Sequence, residues 1–112
     1  MIEGHCHCGA VTLRIPIRPT SITDCNCSIC RRLGALWAYY PTDEVTIEGL
    51  EATSPYVQGD RTLATYHCRT CGCTTHWTGL GQYAHRMGIN ARLFDPSVVE
   101  NASIRNYDGA SR

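Results

Sequence analysis

Three cysteines in the spacing C-x-C-x2-C stand in the stretch Asp24-Cys25-Asn26-Cys27-Ser28-Ile29-Cys30-Arg31-Arg32. Residues i and i+2 of an extended segment point to the same face, and a C-x2-C turn also aims two sulfurs at one ion. Three thiols from one short loop therefore predict a metal site. Because three protein ligands leave one position open, the pattern is also typical of a catalytic zinc.

The remaining cysteines form one group before this stretch and one after it. Cys6 and Cys8 are two residues apart, and Cys68 and Cys71 form a C-x2-C pair. If the two pairs meet, they supply the four thiolates of a closed tetrahedral zinc site, which is the arrangement of a structural zinc. The grouping of the eight cysteines predicts two zinc ions per chain.

The role of Cys73 stays open at this point. It is a possible fourth ligand that closes the three-thiol site, or a free thiol near that site, or a small buried apolar side chain. The histidines beside the cysteines are expected to support the ligands or to lie at the surface, since thiols already fill the sites. Arg31 and Arg32 either receive carboxylates of a ligand or only solvate a turn of helix.

Length and composition restrict the class of protein. A chain of 112 residues predicts a single zinc domain spanning 1–112, and a core of this size benefits from a metal. Ten basic and ten acidic residues give a net charge of zero, which argues against nucleic-acid binding. The start of the chain lacks the features of a signal peptide, and no apolar run reaches the length of a membrane span. We therefore expect a cytoplasmic protein whose clustered cysteines bind metal rather than form disulfides.

Short alternating segments separated by glycine and proline predict a mainly β domain of short antiparallel strands with little helix. Turns are predicted at 54–55 and 59–60, and Ser28 is predicted to cap a helical turn that stops at Gly34. A second helical turn is predicted within 94–99. We expect Trp37 and Trp77 to pack in the core. The predicted strands are 11–15, 21–24, 35–40, 45–48, 62–67, 74–78, 83–90 and 103–107.

The cysteine motifs resemble those of a known family. The carrying motifs are Gly4-x-Cys6-x-Cys8-Gly9-x-Val11, Cys25-Asn26-Cys27-Ser28-x-Cys30-Arg31 and Cys68-x-x-Cys71-Gly72-Cys73. Together with Gly88-Ile89-Asn90, Leu93, Asp95 and the terminal Tyr107-Asp108-Gly109, they resemble the glutathione-dependent formaldehyde-activating enzymes, which share a domain family with centromere protein V.

The resemblance implies a β-rich fold called the beta-tent and two zinc sites. The structural zinc would be held by Cys6, Cys8, Cys68 and Cys71. The catalytic zinc would be held by Cys25, Cys27 and Cys30. The implied activity is a carbon–sulfur lyase reaction that condenses formaldehyde, or a related small aldehyde, with glutathione to S-hydroxymethylglutathione.

Two other functions compete with this enzyme. The first is a non-catalytic, zinc-stabilised binding module in which Cys73 closes the three-thiol site. The second is a thiol redox enzyme that uses Cys73, because methionine sulfoxide reductases of the B type resemble this fold. The number of thiols gathered at the three-thiol site distinguishes the enzyme from the binding module.

Overall fold

The computed structural model describes residues 1–111 and is mainly β, as the sequence predicts. Among these residues the strands are β1 Ile2–His5, β2 Thr12–Ile15, β3 Ser21–Cys25, β4 Trp37–Pro41, β5 Thr46–Glu48, β6 Thr53–Val57, β7 Leu63–Cys68, β8 Thr74–Gly79, β9 Arg86–Asn90 and β10 Ser103–Tyr107. The α-helices are α1 Cys30–Leu33 and α2 Pro96–Glu100. Short 3-10 turns lie at Thr42–Glu44, Leu50–Ala52, Gly81–Tyr83, Ala91–Leu93 and Gly109–Ser111.

The described strands form two sheets. A three-stranded antiparallel sheet has the order β1-β2-β5, and a seven-stranded sheet has the order β10-β3-β4-β9-β8-β7-β6. On β2, Leu13 and Ile15 are fully buried, whereas Thr12 and Arg14 are only partly buried. This period of two is the one that the alternating sequence predicts.

The strands are antiparallel, as predicted, with one exception: β10 pairs with β3 in parallel. The register puts Ser103 opposite Ser21 and Tyr107 opposite Cys25. Strand β9 already runs in the same direction as β3, since each is antiparallel to β4. The connection after β9, which contains α2, returns the chain to the far edge of the sheet, as a parallel arrangement requires.

Other local features also differ from the prediction. The predicted turn at 54–55 is part of β6, where Pro55 lies opposite Tyr66 on an edge strand that tolerates a missing backbone donor. The strand β1 was not predicted, because its four residues include a glycine and too few apolar positions for a periodic signal. Gly88 lies within β9, opposite Trp77, in the centre of the seven-stranded sheet.

The helix α1 starts differently from the prediction and ends as predicted. The residue at its N-cap is Ile29, with no side-chain cap, so Ser28 does not cap it. Gly34 ends the helix in the left-handed conformation with φ +68°, and its N–H donates to the carbonyl of Cys30. Within residues 1–111, no helix is long and apolar enough to cross a membrane.

The main core lies between the two sheets and α2. It contains residues from both sheets, from the segments before β4 and after β9, and from α2: Leu13, Ile15, Ile22, Leu36, Ala38, Met87, Ile89, Ala91, Phe94 and Val98. A second, smaller cluster joins Cys6, Val11 and Cys68. Because Cys6 follows β1 and Cys68 ends β7, this second cluster links the small sheet to the large one.

Candidate metal and substrate site

Four thiols from two distant segments of the chain meet at the junction of the two sheets. The Sγ atoms of Cys6, Cys8, Cys68 and Cys71 all lie within 4.8 Å of one another. Cys6 Sγ is 3.7 Å from Cys8 Sγ, and Cys8 Sγ is 3.6 Å from Cys68 Sγ. Four sulfurs bonded to one zinc at about 2.3 Å in a tetrahedron are about 3.8 Å apart. The observed separations therefore fit a single tetrahedral metal ion.

Tight turns place these thiols. The N–H of Gly9 donates to the carbonyl of Cys6, and the N–H of Gly72 donates to the carbonyl of Cys68. Gly72 has φ +81°, a conformation that a side chain at this position would strain. The Val11 N–H also donates to Cys6 Sγ at 3.4 Å. Each turn thus points its sulfurs inward.

The surroundings of the four-thiol group shift the pKa values of two of its members, Cys71 and Cys8, in opposite directions. The backbone N–H groups of Cys73 and Cys8 lower the pKa of Cys71 to about 5. For Cys8, the N–H of Ala10 favours the thiolate, but desolvation and contact with the other thiols outweigh it and raise the pKa to about 11. Crowded thiols that cannot all ionise together are the donor set that a divalent metal ion stabilises.

The second group joins Cys25, Cys27 and Cys30, whose Sγ atoms also lie within 4.8 Å of one another. Cys25 is the last residue of β3 and is 8% exposed, and Cys30 is the first residue of α1. Among residues 1–111, no further cysteine, histidine or carboxylate joins these three. The three side chains could therefore hold a metal ion between them.

Nitrogen donors hold two of these sulfurs in place. The N–H of Cys30 donates to Cys27 Sγ at 3.4 Å, and Trp37 Nε1–H donates to Cys30 Sγ at 3.3 Å. Burial opposes ionisation of Cys27, but the hydrogen bonds from Cys30 outweigh it and lower the pKa of Cys27. Burial raises the pKa of Cys30 to about 12 in spite of the Trp37 donor. The surroundings thus favour the thiolate of Cys27 and oppose that of Cys30.

Cys73 lies beside the four-thiol group and not in the three-thiol group. It packs against the small cluster around Cys6 and Cys68, and the backbone N–H of His7 donates to its sulfur. The structure therefore does not bring it to Cys25, Cys27 and Cys30.

The other candidate ligands also stay outside both thiol groups. His5 Nδ1 lies 2.8 Å from the carbonyl oxygen of Cys6. His76 is buried and stacks on Tyr66 with ring centroids 4.4 Å apart, and burial lowers its pKa to about 4. None of the described histidines joins either group of thiols.

A cavity of about 860 Å³ opens onto the three thiols. Trp37, Tyr39 and Trp77 contribute aromatic walls, and the Tyr39 and Trp77 rings meet edge to face with centroids 6.0 Å apart. Trp37 is buried, as expected, whereas Trp77 is only half-buried, and both line the cavity. Arg31 on α1 and Asp60 on the loop after β6 place opposite charges on the lining.

Asn26, between two of the thiols, anchors the end of the chain over the cavity. Its backbone N–H donates to the carbonyl of Tyr107, and its Nδ2 donates to Asp108 Oδ1 at 3.0 Å. Its Oδ1 accepts from the N–H of Ala110 at 2.9 Å. Composition and spacing did not identify this role. The sequence pointed to Asn26 and Gly109 only because both lie in motifs that carry the family resemblance.

This anchor brings Gly109 against the thiols. A Cβ at Gly109 would lie 2.7 Å from Cys25 Sγ and 3.1 Å from Cys27 Cβ, so only glycine fits without movement.

The substitution Gly109→Ala is expected to weaken metal binding at the three-thiol group by about tenfold, the lower end of what changes next to metal ligands cost. Cobalt titration followed by thiolate charge-transfer absorbance measures this affinity. Ala110→Ser, at an exposed neighbouring position, is the matched control and should bind as the parent does. An unchanged affinity in Gly109→Ala would show that the contact is not tight in solution.

Comparisons with known proteins agree with this geometry. The family model described as glutathione-dependent formaldehyde-activating enzyme matches residues 1–107. The chain belongs to this family. A protein of Halomonas elongata that carries the provisional name glutathione-dependent formaldehyde-activating enzyme is 37% identical over 62 residues, which are 50% of this chain and 40% of that relative.

A solved structure shows the same fold. The crystal structure of a Rhodobacter sphaeroides protein aligns with a TM-score of 0.77 and 29% sequence identity, covering 93% of this chain and 100% of that one. The match to the glutathione-dependent formaldehyde-activating family covers every cysteine of the chain, and therefore both thiol groups. Family membership and the two thiol groups together support a capacity to bind metal.

Proposed function

We propose that the protein is a zinc-dependent carbon–sulfur lyase that condenses formaldehyde with glutathione to S-hydroxymethylglutathione. The observation that carries the proposal is a group of three thiols at the wall of an open cavity, with no further ligand among residues 1–111. We place the reaction in the cytoplasm, where thiols stay reduced.

The two thiol groups take different roles in this proposal. Cys6, Cys8, Cys68 and Cys71 would hold a structural zinc with all four positions filled. Cys25, Cys27 and Cys30 would hold the catalytic zinc with one position left for the substrate. When bound there, zinc lowers the pKa of a coordinated thiol, so that the thiol is a nucleophile at neutral pH.

The residues of the cavity orient the substrates. Trp37 Nε1–H and the N–H of Cys30 fix the directions of two ligand sulfurs. Arg31 suits a carboxylate of glutathione, and Asp60 suits its ammonium group. The Thr62 N–H and hydroxyl both donate to Asp60 Oδ1, which holds this carboxylate in one orientation.

The reaction needs a proton at the aldehyde oxygen. The glutathione sulfur adds to the carbonyl carbon, the carbon–oxygen π pair moves to oxygen, and this oxygen takes up a proton. Tyr39 lines the cavity, and burial raises its pKa, so its hydroxyl stays protonated at neutral pH. We assign the proton donor to Tyr39 or to a water molecule that it orients.

The proposal is tested by adding glutathione to protein with zinc in the four-thiol group and cobalt exchanged into the three-thiol group. Cobalt X-ray absorption should show the sulfur count rise from about three to about four on addition. Calorimetry in buffers of different ionisation enthalpy should show that a proton is released. A count of about four before addition, which drops in Cys73→Ala, would instead support the non-catalytic binding module.

A further inference from the structure

A second cavity of about 670 Å³ adjoins the one at the three thiols. The turn before α1 and the helix itself form one side of it, and β6 and β7 form the other. The two cavities share four lining residues: Ser28, Ile29, Gln58 and Thr65. A molecule bound at the thiols can therefore extend into this second space, which we call the side groove.

The floor of the side groove continues the floor of the thiol cavity. In the seven-stranded sheet, Trp77 on β8 lies opposite Thr65 on β7, which lies opposite Tyr56 on β6. Directly opposite residues of neighbouring strands lie on the same face of a sheet. Two aromatic residues therefore flank a small threonine, and the line from Trp77 to Tyr56 spans two strand spacings, about 10 Å.

The sides of the groove present apolar surface. Leu33 at the end of α1 is 37% exposed, and Tyr56 is 57% exposed. Ile29, before the helix, completes the apolar side nearest the thiols. Exposed apolar residues gathered around one concavity, rather than scattered, are typical of a ligand site.

Formaldehyde has no substituent that could fill this groove. Resting on the proposed function, we propose that the side groove binds the apolar substituent of a larger aldehyde, so that the protein accepts aliphatic or aromatic aldehydes as well. The glutathione sulfur adds to the carbonyl carbon, the π pair moves to oxygen, and the oxygen takes a proton. The substituent on that carbon then lies over Thr65, between Leu33 and Tyr56.

The S-alkyl derivatives of glutathione are stable mimics of these adducts, because each has a carbon chain on the sulfur. We would titrate the zinc-loaded protein with glutathione and with its S-methyl, S-butyl and S-hexyl derivatives, using calorimetry. Each methylene group that the groove buries should tighten binding by about fourfold. S-butylglutathione has three more methylene groups than S-methylglutathione, so we expect it to bind up to about 60-fold more tightly if all three are buried, with a further gain for the hexyl derivative.

Substitutions in the groove should remove this dependence on chain length. In Leu33→Gln and in Tyr56→Ser, the ratio of the hexyl to the methyl affinity is expected to fall toward one. Leu50→Gln is the matched control, since Leu50 is 48% exposed and lies outside both cavities. It should keep the ratio of the parent.

The outcomes separate the two proposals. If neither glutathione nor any derivative binds, the proposed function fails. If glutathione binds but the hexyl derivative binds no better than the methyl derivative, the groove proposal is overturned and the proposed function stands. A length dependence that survives equally in Leu33→Gln and Tyr56→Ser would place the alkyl chain elsewhere and also overturn the groove.

Discussion

Replacing Cys6 with serine is expected to leave the protein unfolded at room temperature. Cys6 is fully buried, and it joins the turn after β1 to Cys68 at the end of β7. Structural zinc contributes about 10–16 kcal/mol in small zinc domains, whereas a typical domain is stable by only about 5–15 kcal/mol. Loss of one of the four ligands weakens zinc binding, and the free energy lost is then comparable to the whole free energy of unfolding. Circular dichroism and the melting transition in zinc-containing, reducing buffer measure the result.

Cys73→Ser is the matched control for this experiment. Cys73 packs beside the same four thiols but is not one of them. The same chemical change there should lower the free energy of unfolding by only about 1 kcal/mol. Chelation of zinc from the parent should reproduce the unfolding of Cys6→Ser. A Cys6→Ser protein that melts at the parent's temperature would refute a structural role for the four-thiol group.

Replacing Cys27 with serine is expected to have the opposite pattern, with a folded protein that loses metal and function together. The three-thiol group lies at the wall of a cavity, outside the main core. Removing a direct ligand should lower metal affinity by more than about 100-fold, the upper end of the effect of changes next to ligands. Elemental analysis should show that the zinc content falls to about one ion per chain, the one held by the four-thiol group. Exchange between formaldehyde, glutathione and their adduct, followed by nuclear magnetic resonance, should fall to the uncatalysed rate.

Cys73→Ser again serves as the control and should retain zinc in both groups and the catalysed exchange. If Cys27→Ser unfolds like Cys6→Ser, the division into a structural and a catalytic site is wrong. If it retains the catalysed exchange, the reaction does not take place at the three-thiol group. If Cys73→Ser loses the exchange while Cys27→Ser keeps it, the thiol redox alternative gains support.

Much of the fold could be predicted because its signals are local. Alternation of apolar residues over 11–15 marks a strand whose buried side chains enter the core. A glycine at position 34 marks the end of α1, since the left-handed conformation there is strained for other residues. The strand at 103–107 was predicted, but its parallel pairing with β3 was not, because β3 is distant in the chain. The strand β1 escaped prediction because its four residues carry too few apolar positions for a periodic signal.

The candidate site also has some features that the local sequence determines and others that only tertiary contacts determine. The sequence by itself determined that Cys25, Cys27 and Cys30 converge, because a five-residue separation leaves the chain few ways to keep them apart. Only the tertiary structure decided where Cys73 goes, since its spacing from Cys71 permits several directions. It lies with the four-thiol group because β7 and β8 meet there, at the turn that Cys68 begins.

The surroundings of the three thiols were decided by the tertiary structure alone. Asn26 binds Asp108, which is 82 residues away in the chain, and this contact brings Gly109 against Cys25. The side groove depends on the order of β6, β7 and β8 and on where α1 packs. A short spacing restricts its own residues through covalent geometry, whereas contacts between distant segments exist only once the sheets and the core have packed.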